Sequence, residues 1–139
     1  MKKFTSNSQK IGKLGEDIAC KYLIGKGFSL VERNYTKKWG EIDIIAEKNG
    51  KIYFVEVKAV SRSISNKEEG ENVSGETNNK YRPEENMHPW KVKRLRRVVE
   101  TYLIGKRVGG KDWQFDIALV YLDVIQRKAR VRILENVIL

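Results

Sequence analysis

Two runs rich in β-branched and aromatic residues, 40–48 and 51–60, meet at Asn49-Gly50. Both central positions of a type I′ turn need positive φ, which Asn and Gly tolerate best, so the runs are expected to pair as a tight hairpin. With Asn49 and Gly50 as the turn residues, Lys48 faces Lys51, and the numbers of every cross-strand pair sum to 99. Asp43 then falls opposite Glu56, and Glu41 opposite Lys58. Side chains alternate with period two. This places Glu41, Asp43, Glu56 and Lys58 on one face at the open end, with Ile42, Ile44, Ala46, Tyr53, Val55 and Val57 on the other.

The charged face also carries Ile45, Ile52 and Phe54 nearer the turn. Strands that are apolar on both sides are usually covered by helices on both faces. The acids therefore belong at the margin of a core, where like charges set opposite each other destabilise the sheet and desolvation worsens the repulsion. A divalent cation on oxygen ligands would offset this. A proton shared by the two acids would also do so, as would a salt bridge to Lys58. The plain alternative is a charged ladder at a solvated sheet end, with Glu41–Lys58 an ion pair worth little.

Composition narrows the choices. The 139 residues suit one domain with a real core. There are 28 Lys and Arg against 18 Asp and Glu, a net charge of +10 that favours a polyanionic partner, nucleic acid before an anionic membrane surface. One cysteine, Cys20, and one histidine, His88, exclude an intramolecular disulfide, a Cys-based zinc site and a His cluster. A metal here is therefore held by oxygens, which points to Mg²⁺ or Mn²⁺. No apolar run reaches the ~18–20 residues needed to span a bilayer. Met1-Lys2-Lys3-Phe4-Thr5 is followed by no hydrophobic stretch, so no membrane association and a cytoplasmic location are expected.

Ahead of the hairpin, Ile11, Leu14, Ile18, Ala19, Tyr22 and Leu23 recur at helical spacing, and the small residues Gly12, Gly15 and Ala19 would let that helix lie close to a sheet. Phe28 to Tyr35 reads as a strand, joined to the hairpin by a short basic connection carrying Trp39. Residues 61–88 read as a polar, aperiodic loop insertion, long enough to be functional or disordered. Pro89 opens a second helix running to about Gly105, with Val92, Leu95, Val98, Val99, Tyr102 and Leu103 inward. Lys91, Lys93, Arg94, Arg96 and Arg97 crowd its first two turns. The helix dipole disfavours cations there, so phosphate contact is their natural use, against the alternative of a solvated polar face. A Gly-Gly loop and strands at Trp113–Leu122 and about Ala129–Leu134 complete an α/β chain of order α-β-β-β-α-β-β, a mixed central sheet with helices packed on it.

Asp43 followed thirteen residues later by Glu56-x-Lys58 resembles the PD-(D/E)xK nuclease signature. Gly12-x-x-Gly15-Glu16, Gly40-Glu41-Ile42-Asp43-Ile44-Ile45-Ala46 and Phe54-Val55-Glu56-Val57-Lys58 resemble the YraN-like family, as do Lys91-x-x-Arg94-Leu95 and Phe115-Asp116-Ile117. The resemblance covers about residues 9–60 and 88–122. It implies a restriction-endonuclease-like fold similar to archaeal Holliday-junction resolvases, and a Mg²⁺- or Mn²⁺-dependent nuclease acting on structured or branched DNA. Because such folds also host inactive members, a non-catalytic nucleic-acid-binding protein is the alternative. The resemblance assigns Asp43, Glu56 and the Val57 carbonyl to the metal, Lys58 to the attacking water, and Glu16 to a further acid beside it. Lys91 sits where related enzymes often place another polar site residue, and with Lys93, Arg94 and Arg97 of the basic cluster it is expected against nucleic acid. Ala59-Val60-Ser61 stands where the family usually has Thr-Arg-Ser, leaving Arg62 as the replacement phosphate contact. Resolvases of this fold work as two-fold dimers, which makes a homodimer the implied assembly.

Overall fold

The computed structural model describes residues 7–61 and 88–139. Arg62 and most of the expected insertion at 61–88 lie outside them. The elements are α1 (Asn7–Gly25), β1 (Ser29–Lys37), β2 (Gly40–Lys48), β3 (Lys51–Ser61), α2 (Pro89–Gly105), β4 (Trp113–Asp123) and β5 (Lys128–Leu134), in the order expected from the sequence. The five strands form one sheet ordered β1-β2-β3-β4-β5. The sheet is mixed because β3 and β4 run parallel from Ile52–Trp113 to Ser61–Leu122, whereas all other neighbours are antiparallel. A parallel pair needs a long crossover, and α2 lies on it.

One helix covers each face. Leu95, Val98, Val99, Tyr102 and Leu103 of α2 pack on Tyr35, Ile42, Ile45, Ile52, Phe54, Phe115, Ile117 and Leu119. Ala19, Cys20 and Leu23 of α1 pack on Ile44, Ala46, Val55, Ala118, Val120 and Leu122. Burying each of the larger aliphatic or aromatic side chains contributes about 1.5–3 kcal/mol relative to exposure. This two-sided burial accounts for the near-continuous apolar runs of β2 and β4. Gly15 sets how closely α1 approaches, since a Cβ there would lie 2.6 Å from the Ala59 Cβ. Gly12, expected to share that role, faces open space. At the start of α2, His88 is the N-cap and Pro89 the first helical residue.

The hairpin forms as expected at its closed end. Asn49 and Gly50 have φ of 52° and 78°, and the register runs from Lys48–Lys51 to Ile44–Val55, every pair summing to 99. There it stops, and the expected opposition of Asp43 to Glu56 and of Glu41 to Lys58 does not form. The reason is a local break in alternation. Ile44 and Ala46 point to the α1 side and Ile45 to the α2 side, but Ile42 also points to the α2 side, so β2 changes face at Asp43. The expected grouping of Ile42 with Ile44 therefore fails. β1 breaks at the same level. Asn34 takes a φ of 52°, Arg33 reaches α1, and Tyr35 packs under α2. Because both strands flip together, their ladder continues through Tyr35–Ile42 to Lys37–Gly40. β3 does not flip: Val55, Val57 and Ala59 all lie on the α1 side. A strand that changes face cannot stay in register with one that does not. β2 and β3 therefore part beyond Ile44–Val55.

Candidate functional site

The parting of β2 from β3 makes a notch, and Asp43 occupies its apex. With no ladder partner on β2, the Val57 N–H donates to Asp43 Oδ2 at 2.8 Å. In a strand the N–H and C=O of one residue leave the same edge, so the Val57 carbonyl also faces the notch. Burial pushes the Asp43 carboxyl up to about 7. The Val57 N–H pulls the other way, and the charges of Glu56, Glu16 and Glu41 add to the rise. Asp43 is thus a carboxylate with one hydrogen bond from the backbone and three acids around it.

On the α2 side of β3, Glu56 is mostly buried, with 13% of its side chain exposed. Its Oε2 lies 3.1 Å from Lys58 Nζ and 3.2 Å from Lys91 Nζ. Lys91, expected both among the cations of α2 and as a further polar residue of the site, stands apart from the other cations. It lies one turn before Leu95 on the stripe Lys91, Leu95, Val98 and Tyr102, which faces the sheet. The first inward position of α2 therefore delivers a cation to the acid of β3.

The third wall comes from α1. Close contact at Gly15 sets the adjoining Glu16 against the sheet. Glu16 Oε1 accepts from Arg33 at 3.3 Å and from Asn34 Nδ2 at 3.2 Å, and the same Asn34 amide donates to Glu41 Oε2 at 3.1 Å. Arg33 also pairs with Asp17 at 3.0 Å. Arg33 and Asn34 escaped the sequence reading, as did Glu41 as a site residue. The available signal was Asn34 itself, since Asn is depleted within strands but tolerates positive φ.

Among the described residues no three His, Cys, Asp or Glu side chains close on one point. The oxygen donors at the notch are the Asp43 carboxylate and the Val57 carbonyl, and the Glu56 carboxylate, held by Lys58 and Lys91, lies near enough to raise the Asp43 carboxyl. These hard oxygens suit Mg²⁺ or Mn²⁺ in a site that keeps bound water. The charge balance fits as well, because a dication would relieve the repulsion that burial and three acids impose on Asp43.

The outer face of α2 carries the remaining cations. Trp90, Lys93, Arg94, Arg96, Arg97 and Glu100 line an open groove of about 440 Å³ together with Trp39 from the β1–β2 turn. Gly40 brings that turn in, since a Cβ there would lie 2.9 Å from Val98 Cγ2. The Arg94 Nε–H donates to the Trp39 carbonyl at 2.9 Å, and its guanidinium lies 5.2 Å from the Trp90 ring. The Arg97 guanidinium lies 4.1 Å over the Trp39 ring. Lys93, Arg94 and Arg97 are therefore gathered on one face. Trp39 and Trp90 were not expected there, although helical spacing places Trp90 on the face of Arg94 and Arg97.

The model of the uncharacterised protein family UPF0102 matches residues 15–120, a span that holds Glu16, Asp43, Glu56, Lys58 and all of α2. The chain is 35% identical over 129 residues to a UPF0102 protein of Alkaliphilus oremlandii, covering 93% of this chain and 97% of that one. It is 39% identical over 106 residues to one from Persephonella marina, covering 76% and 78%. A third, from Dictyoglomus turgidum, is 37% identical over 116 residues, covering 84% and 86%. No helix among the described residues is long and apolar enough to cross a membrane.

Proposed function

The chain belongs to the UPF0102 family, the YraN-like family its motifs resemble, and on that premise we propose that it is a Mg²⁺- or Mn²⁺-dependent nuclease acting on structured or branched DNA. The observation that carries this reading is Asp43, a half-buried acid with three acidic neighbours where β2 and β3 part. Beyond the hydrogen bond from Val57, such a group carries a charge repulsion that a bound dication would offset. Asp43, Glu56 and the Val57 carbonyl would hold the ion. Bound there, it would activate water and draw charge from the phosphoryl oxygens.

The side chains supply the rest. Lys58, 3.1 Å from Glu56, puts a positive charge beside the notch, where negative charge develops during phosphoryl transfer. Lys91 adds a second from the helix. Glu16, held by Arg33 and Asn34, is a further acid at the rim. Lys93, Arg94 and Arg97 take backbone phosphates, which positions a duplex without reading its sequence. Arg62, standing in for the arginine the family usually has after Lys58, would be a further phosphate contact, and a two-fold dimer would present two notches to a branch point.

Titrating Mg²⁺ or Mn²⁺ into the protein with a labelled branched duplex tests this. Metal-dependent cleavage is expected of the wild type, with binding but no cleavage in Asp43→Asn and Lys58→Ala. The second reading is a nucleic-acid-binding protein that does not cut. The two lysines already on Glu56 favour it, because an ion-pair network of that kind also serves structure alone. Tight binding by the wild type with no cleavage in either metal would select it.

A further inference from the structure

We infer that the groove between Trp39 and Trp90 holds an unpaired nucleotide, so that the preferred ligand is a duplex carrying a single-stranded segment rather than a continuous duplex. The inference rests on the nucleic-acid part of the reading above and not on catalysis. A surface that only grips duplex phosphates needs cations and no aromatic rings. This one is built from two indoles. Trp90 leaves 52% of its surface open although it sits at the start of a helix with an apolar inner face. Each indole is paired with a guanidinium, Arg94 by Trp90 and Arg97 over Trp39. The Trp39 indole N–H is buried and has no acceptor among the described residues. An aromatic face beside a line of cations matches the chemistry of one nucleotide, with base on indole and phosphate on arginine.

Charge and place both favour that occupant. Lys93, Arg94, Arg96 and Arg97 line the groove against one acid, Glu100, which Arg96 holds at 3.3 Å. A polyanion therefore meets three cations that no acid of the groove neutralises. Trp90 is also the sequence neighbour of Lys91, which reaches Glu56. The groove and the notch thus share the first turn of α2, Lys91 facing the sheet and Trp90, Arg94 and Arg97 facing outward. A strand leaving a duplex at the notch meets the indoles within one helical turn, about 5 Å along the axis.

The test is fluorescence anisotropy with a blunt duplex and the same duplex bearing a short dT tail. EDTA is present throughout, so the outcome does not depend on whether the chain cuts. The tailed duplex is expected to bind about tenfold more tightly, the scale of one base stacked on an aromatic ring, and to quench tryptophan emission. Trp90→Ala is expected to bring the ratio of tailed to blunt affinity close to one, and Trp90→Phe to keep it within about twofold of wild type. Because Trp90 is half exposed, both variants should keep the fold, which circular dichroism checks. Equal affinity for the two duplexes in the wild type overturns the inference. So does a Trp90→Ala loss that is the same for both, or competition by poly-glutamate as strong as by oligo-dT, which would identify the groove as a site for an acidic peptide.

Discussion

Replacing Asp43 by Asn should make the protein more stable at neutral and alkaline pH, and the size of the gain follows from the notch. In the fold the Asp43 carboxyl is pushed up to about 7 by burial, against 3.8 in its ordinary setting. The folded protein therefore binds this proton more tightly than the unfolded chain. Below pH ~4 both states are protonated and the group costs nothing. As pH rises from there through 7 the folded state must ionise a largely desolvated carboxyl among Glu56, Glu16 and Glu41, and stability is lost across that window. At about 1.4 kcal/mol per pH unit the full cost is roughly 4 kcal/mol. Asp43 keeps partial contact with solvent, so about half of that ceiling, ~2 kcal/mol, is the working expectation. Asn has the same shape, its carbonyl can still accept from the Val57 N–H, and its amide suits the surrounding acids. Urea unfolding in EDTA at several pH values reads the difference. The two proteins should converge near pH 4 and separate to ~2 kcal/mol by pH 8, which is about 6–10 °C in Tm for a domain of this size. Mg²⁺ at ten times its Kd should then raise the wild type alone by about 1.4 kcal/mol and narrow the gap. A variant that is less stable than wild type at pH 8, or a gap that stays constant with pH, would refute the reasoning. The group's contribution would then be packing or hydrogen bonding, not charge.

Other consequences concern positioning. Gly15→Ala puts a Cβ 2.6 Å from that of Ala59 and should cost about 1–3 kcal/mol in urea unfolding. Ala59→Gly should relieve the clash, so a double-mutant cycle should show coupling of about 1 kcal/mol or more. Asp116 is buried, and its Oδ1 accepts from Gln114 at 2.8 Å and from the Asn136 N–H at 3.0 Å. Asp116→Ala should cost about 1–3 kcal/mol and speed amide exchange over residues 135–139, whereas Asp116→Asn, which keeps an acceptor, should do neither. Affinity for duplex DNA should fall steeply with salt, and Arg94→Ala or Arg97→Ala should each lower the log–log slope by about one.

The fold was largely legible because its signals are local. Asn49-Gly50 fixes the hairpin and its register, Pro89 starts α2, and the two-sided apolar strands call for a helix on each face. The family resemblance read from the motifs is borne out. What period-two reasoning could not see is the break at Asn34 and Asp43, because alternation was assumed to run the length of each strand. That single assumption misplaced Ile42 and set Asp43 directly opposite Glu56. It also hid Asn34, whose positive φ depends on a neighbouring strand bending with it. Trp39 went unread for a different reason. It sits in a turn, and only the approach allowed by Gly40 brings it to α2. Lys91 was readable, since its spacing from Leu95 and Val98 assigns it to the inner stripe.

The double flip at Asn34 and Asp43 acts as a parity change. Every residue of β1 and β2 beyond it is carried to the opposite side of the sheet from the one simple counting gives. Two strands making the change together remain compatible with each other, and the third, keeping its count, is left with an open seam. A sheet whose central strands are covered by a helix on each face thereby acquires a place between β2 and β3 where carboxylates can gather without displacing core residues. The seam depends on an odd step in β1 that few side chains tolerate. A β-branched residue at 34 would favour even counting, close the seam and turn Ile42 away from α2. A local backbone preference near one edge of the sheet therefore governs whether the molecule has a cleft at all.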